Sequence, residues 1–148
     1  FQKIREEMGA AYYVGADADL YTDHGYLAAS AGVDNKRVGA VIEVILDEFK
    51  IMSNSIKKEE IERAKEHLVG NMMLSLETSS SMASFYGSQE VLKETLITPE
   101  ELARKIRGVK MDEITAVAQD IFQNKKLNLA LIGPFEEKEK FEKILNLG

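Results

Sequence analysis

The sequence contains no cysteine. That excludes disulfides, thiol nucleophiles and Cys-ligated zinc or iron–sulfur centres, and it fits a reducing compartment. Histidine is almost as scarce. His24 and His67 stand alone, neither with a second histidine three or four residues away, so no paired-imidazole metal motif is present. No run approaches the roughly 20 apolar residues needed to cross a bilayer. No serine sits in a G-x-S-x-G turn and no glycine-rich loop opens a helix, which leaves acyl-transfer and phosphate-binding readings without a motif. Excess positive charge is absent too. The net charge of −6 repels phosphate and anionic lipid, so neither nucleic acid nor a membrane surface is an expected partner.

What is present is ordinary for a globular protein. Hydrophobic residues make up 45% and charged residues 30% of 148 positions, enough for one domain with a sizeable core. Phe1, Ile4 and Met8 share a helical face, and Gly9 stands where a C-terminal cap would fall. Ala11 to Leu20 alternates: Tyr12, Val14, Ala16, Ala18 and Leu20 form an apolar face opposite Tyr13, Gly15, Asp17 and Asp19. A turn at Thr22 to Gly25 leads into a second strand, Tyr26 to Val33, and the pair predicts an antiparallel hairpin.

Helical patterning follows. Asp34 or Asn35 can cap a helix whose stripe runs through Val38, Val41, Ile42, Ile45, Leu46, Phe49 and Met52. A second stripe runs through Ile61, Ala64, Leu68, Met72 and Leu76, and the hydroxyl run Thr78 to Ser81 breaks or caps it. Met82 to Leu92 predicts another helix. Thr98-Pro99-Glu100-Glu101 is a helix start with a capping box. Ile114, Val117, Ala118, Ile121 and Phe122 mark a further helix. Leu127 to Ile132 reads as a buried strand stopped by Gly133-Pro134, and Glu136 to Leu145 as a final helix. With no linker or repeat evident, the fold class expected is α+β, an antiparallel-rich sheet with helices packed on one face.

Three clusters carry possible chemistry. Arg63-Ala64-Lys65-Glu66-His67 is the inverted zinc motif H-x-x-E-H with arginine in place of its first histidine. A cation cannot ligate zinc, so the simpler reading is a solvated helix face. Asp17, Asp19, Asp23 and His24 gather oxygens and an imidazole near one turn, but lack the glycine and glutamate of a calcium loop, and strand-end solvation accounts for them. In the third, Arg5 and Tyr12 flank the Gly9 bend and could converge on a peptide carbonyl to stabilise an oxyanion. On spacing alone Arg5 serves equally as an ion-pair partner, and alternation turns Tyr12 inward with Val14.

Residues 1 to 14, FQKIREEMGAAYYV, resemble the signature of the second half-domain in pitrilysin/insulinase-type zinc peptidases, the family of the mitochondrial processing peptidase. Lys58 to Lys65, Leu74 to Ser79 with Met82-Ala83, Val109 to Ala118 and Leu129 to Pro134 resemble later stretches in the same order, so the likeness covers nearly the whole chain. It implies a C-terminal half-domain of a larger peptidase, truncated ahead of its leading strand, as the start at Phe1 also suggests. It implies zinc in the parent enzyme, held by the other half-domain in the same chain or in a partner subunit, with none held here. It implies a peptide substrate, with Arg5 and Tyr12 as the catalytic positions of this half. It leaves room for a homo-oligomer, for a cytoplasmic setting and, as an alternative, for a catalytically inactive scaffold or assembly domain. Lys110 departs from the family's pattern, which often has a capping threonine there.

Overall fold

A computed structural model describes Ile4, Gly9, residues 11–92 and residues 95–148. The remaining positions, Arg5 among them, lie outside the described residues. The chain divides into two compact units, one of Phe1–Ser55 with Ala116–Gly148, the other of Ile56–Thr115.

In the first unit, strands β1 (Ala11–Leu20) and β2 (Gly25–Val33) pair antiparallel. Tyr21 N–H donates to the His24 carbonyl at 2.9 Å to close the turn. Asp34 then caps a 3-10 turn, Asn35–Arg37, its carboxylate accepting from Lys36 N–H at 2.8 Å. Helix α1 (Val38–Asn54) follows directly. Its apolar stripe serves two clusters. Val41, with Val44 and Ile45, packs with Ile4 and the hairpin residues Ala11, Val14, Ala31 and Val33. Val38, Ile42 and Leu46 pack with Phe49, Leu127, Phe135, Phe141 and Ile144, drawing helix α6 (Lys138–Ile144) onto α1. Phe49 stacks on Phe122 at 4.3 Å between centroids, and Phe135 meets Phe141 edge-on at 5.3 Å.

The second unit is helical: α2 (Lys58–Ser75), α3 (Ser79–Leu92), α4 (Pro99–Gly108) and the start of α5 (Met111–Ile121). Local chemistry sets its boundaries. Thr78 Oγ1 accepts from Ser81 N–H at 3.1 Å and caps α3. At α4 the capping box is complete: Thr98 Oγ1 accepts from Glu101 N–H at 3.2 Å, and Glu101 accepts from Thr98 N–H at 2.9 Å. Lys110 precedes α5 without a capping hydroxyl, yet Glu113 supplies half of a box by accepting from Lys110 N–H at 2.7 Å.

The mixed α+β class stands, a helix covering one face of an antiparallel pair. Three sequence expectations need revision. Leu127 to Ile132 does not pair: among the described residues the sheet has two strands, and Ile132 is fully exposed. An apolar run becomes a strand only where a neighbouring backbone can accept its hydrogen bonds, and that is not encoded locally. The stripe of α2 keeps Ile61, Met72 and Leu76 inward, but its middle is shifted by one residue, roughly 100° on a helix. Lys65 and Val69 are buried with Ile61, while Ala64 and Leu68 face outward. Lys65 tolerates this because its aliphatic stem is covered and its ammonium meets Glu62 at 2.9 Å. The third revision concerns β1.

Candidate functional site: a tyrosine carried on a strand bulge

Regular alternation would place Tyr12 beside Val14 on the core side. The structure places it outside. Ala11 opposes Val33 and Tyr13 opposes Gly32, so two steps on β1 match one step on β2 and Tyr12 is the extra residue of a β-bulge. The inward positions are therefore Ala11 and Val14, three apart, both packed against the cluster around Val41. Tyr12 is 82% exposed. A bulge flips the facing of whatever precedes it, as a one-residue slip of register does.

Two glycines frame this segment. Gly9 has φ of 54°, in the left-handed region that suits a glycine turn ahead of the strand. Gly32 lies under the ring of Tyr13: a Cβ at position 32 would collide with ring carbons Cε1 and Cδ1. Tyr13 is itself largely exposed, its ring lying along the outer surface of β2.

Farther along the hairpin, Ala16, Ala18 and Leu20 are exposed as well. The acidic cluster there satisfies itself locally. Asp19 accepts a short hydrogen bond from the Tyr26 hydroxyl, and that bond, with the charge of Asp19, raises the Tyr26 pKa and holds the phenol protonated. Asp23 contacts His24 Nδ1 at 2.6 Å, and the His24 ring stacks on Tyr21 at 4.6 Å.

Among the described residues, the donors do not fit a zinc site. Glu66, on α2, accepts a fork from Arg107 on α4, Nε to Oε1 at 2.8 Å and Nη2 to Oε2 at 3.0 Å, which occupies both of its oxygens. His67 Nε2 is in hydrogen-bond contact with Asn71 at 3.0 Å, and Arg63 stands where a first histidine would have to be. The helix face is exposed, as its charges suggest, but Glu66 is tied across to α4 rather than merely solvated. Among the described residues no three His, Cys, Asp or Glu side chains converge. In the same unit an open groove of about 610 Å3 is lined by Ser80, Ser84, Ser88, Phe85, Leu76 and Leu102, with no charged side chain among the described residues that line it.

Of the two residues singled out from the sequence, Tyr12 is thus presented to solvent, and Arg5 falls outside the described residues. The bulge was missed at the sequence level. Its trace was there in the spacing of Ala11 and Val14 with two tyrosines between them. The Glu66–Arg107 fork left no trace, its partners being 41 residues apart.

Among the described residues the chain thus presents an exposed phenol on a bulged strand and no group of His, Cys, Asp or Glu side chains that could hold a metal ion. Comparison with known proteins gives its relatives. Residues 1–68 match the family model described as the peptidase M16 inactive domain. The chain is 31% identical over 134 residues to an uncharacterized zinc protease of Rickettsia bellii, covering 90% of this chain and 32% of that protein. It is 30% identical over 135 residues to the uncharacterized zinc protease YmxG of Bacillus subtilis, covering 90% and 33%. It is 31% identical over 124 residues to the mitochondrial-processing peptidase subunit alpha of Pongo abelii, covering 84% and 23%. A chain of Complex III2 from Candida albicans, Inz-5 bound, superposes with a TM-score of 0.71 at 20% identity, over 80% of this chain and 28% of the other. The match over residues 1–68, with relatives named as zinc proteases and a processing peptidase subunit, supports a C-terminal, inactive half-domain of the M16, pitrilysin/insulinase-type, peptidases. The chain spans about a third or less of the length of these relatives.

Proposed function

We propose that this half-domain is the substrate-binding, non-metal half of a zinc-dependent peptidase that hydrolyses peptides. In this reading the zinc belongs to the other half-domain, in the same chain or a partner subunit, and the described residues here offer no group that fits it. Tyr12, together with Arg5, orients the scissile carbonyl or the oxyanion that develops from it. A phenol hydroxyl and a guanidinium are both hydrogen-bond donors, and donors aimed at developing negative charge lower the barrier without reorganising.

The observation that supports this reading is the outward presentation of Tyr12. A tyrosine kept for packing would follow the alternation of β1 into the core. Here the strand carries an extra residue and the ring is turned to solvent. Bulges of this kind recur next to active sites, where they re-aim a side chain.

The test uses the full-length protein with a fluorogenic peptide. Tyr12→Phe and Arg5→Ala are each expected to lower kcat by about tenfold or more, up to the roughly hundredfold to thousandfold loss of a full oxyanion donor. Wild-type turnover in both variants would refute the assignment and favour an assembly role for this half.

A further inference from the structure

The geometry points to Ile4 and Val41 as the positioning pair that keeps Tyr12 outside, by closing the core slot that a regular strand would give it. The inference rests on the role of Tyr12 proposed above and adds the residues that hold it there.

One rung of the hairpin lies out of step. From Tyr13–Gly32 to Leu20–Gly25 the pairing keeps a single register, and Ala11–Val33 is shifted from it by one residue. The choice between a bulge and a regular ladder is therefore made at that rung. Continued without a bulge, the common register would set Tyr12 opposite Val33. Its ring would then enter the inner slot that Ala11 occupies, and Ala11 would turn outward. That slot lies against the cluster of Ile4 and Val41, each 3% exposed.

Size and polarity both favour alanine there. A methyl fits beside two buried branched side chains. A phenol ring would force them apart, and overfilling a closed core is destabilising. Every side chain of the cluster, and of the residues packed on it, is aliphatic. A buried Tyr12 hydroxyl would find no hydrogen-bond partner among them, whereas on the outside, 82% exposed, the residue keeps its hydroxyl in water. Ile4 comes from the stretch ahead of Gly9 and Val41 from α1, so two separate parts of the chain close the slot. The facing of Tyr12 is thus set by what lies behind the strand.

Ile4→Ala and Val41→Ala each make room in the slot, and Ile4→Leu keeps its volume. The full-length protein is treated with tetranitromethane, and nitration of Tyr12 is read against that of Tyr13, which is exposed as well. Tyr13 keeps its register in both pairings and serves as an internal standard. The Tyr12 to Tyr13 ratio is expected to fall several-fold in Ile4→Ala and Val41→Ala. It is expected to stay as wild type in Ile4→Leu and in Leu46→Ala, which truncates the other cluster. In Ile4→Ala and Val41→Ala kcat is expected to fall with the ratio, with little change in KM. It is expected to fall no further in a Tyr12→Phe background, because the loss acts through that hydroxyl. Val41→Ala covers the case in which Ile4→Ala fails to fold. A wild-type ratio in both truncations would overturn the positioning role. An equal fall in Leu46→Ala would overturn it too, since general loosening would then be the cause, and so would kcat losses that add fully to that of Tyr12→Phe. Full turnover in Tyr12→Phe would instead overturn the oxyanion role, and with it any catalytic purpose for the slot.

Discussion

The two compact units hold themselves together by different chemistry. The unit built on the hairpin, α1 and the C-terminal segment relies on apolar burial. Val38, Val41, Ile42 and Leu46 supply two clusters from neighbouring parts of one apolar stripe, and aromatic pairs close the second. The unit of α2 to α4 buries Ile61, Val69 and Ala103, and adds directional polar devices: the Thr98 capping box, the Thr78 cap, the Gln89 amide and the Glu66–Arg107 fork. Burial is non-directional and scales with area, whereas hydrogen bonds and ion pairs depend on geometry, pH and salt. The first unit should therefore respond to side-chain truncation and the second to changes in polar partners and solution conditions.

The largest effect that would sharpen this contrast is expected at Leu46, which is 4% exposed at the centre of the α1 cluster. Leu46→Ala should cost about 2–5 kcal/mol, the transfer energy of the lost atoms plus the cavity they leave. Amide exchange should show the loss in α1 and α6. A cost below about 1 kcal/mol would mean that the cluster is not close-packed, and the comparison would fail on its apolar side.

A smaller loss is expected at Gln89, buried between α3 and the turn before α4. Its Nε2 donates to the Ile97 carbonyl at 3.2 Å and its Oε1 accepts from Ile97 N–H at 2.9 Å, so one side chain satisfies both backbone groups of a residue eight positions on. Gln89→Leu keeps the volume and strands both groups. The expected cost is about 1–3 kcal/mol, the penalty of leaving buried polar atoms unpaired. Thermal unfolding of the variant measures it, and near-neutrality would show that Ile97 finds other partners.

The same division separates what could be read in the sequence from what could not. The α4 start, the Asp34 cap and the α1 stripe were legible because each depends on residues within a turn or two of one another. The pairing of Leu127 to Ile132, the facing of α2 and the Glu66–Arg107 fork were not, because each depends on a partner far along the chain. Tyr12 shows both cases in one residue. Its chemical candidacy came from the spacing around Gly9 and from family resemblance. Its orientation came from the bulge, which a strict period of two along β1 hides. Pattern reading assumes an unbroken register, and a single inserted residue is enough to reverse its answer.

The smallest effect discriminates most cleanly on the polar side. The Arg107 guanidinium, through its hydrogen bonds, lowers the Glu66 pKa below the usual carboxylate range, and the same fork raises that of Arg107. A carboxylate whose folded pKa is depressed contributes its stability above its unfolded value, and the contribution fades as pH falls through the lower folded value. Both side chains are well exposed, so the contribution is modest and weakens with salt. Amide protection in α2 and α4 should therefore decline in wild type as pH falls from neutral through the depressed Glu66 value. Arg107→Gln should lower protection slightly at neutral pH and flatten that decline, while α1 changes little in either protein. An equally steep decline in Arg107→Gln would place the acid sensitivity of these helices in other carboxylates, and the fork would then be a geometric contact without energetic consequence.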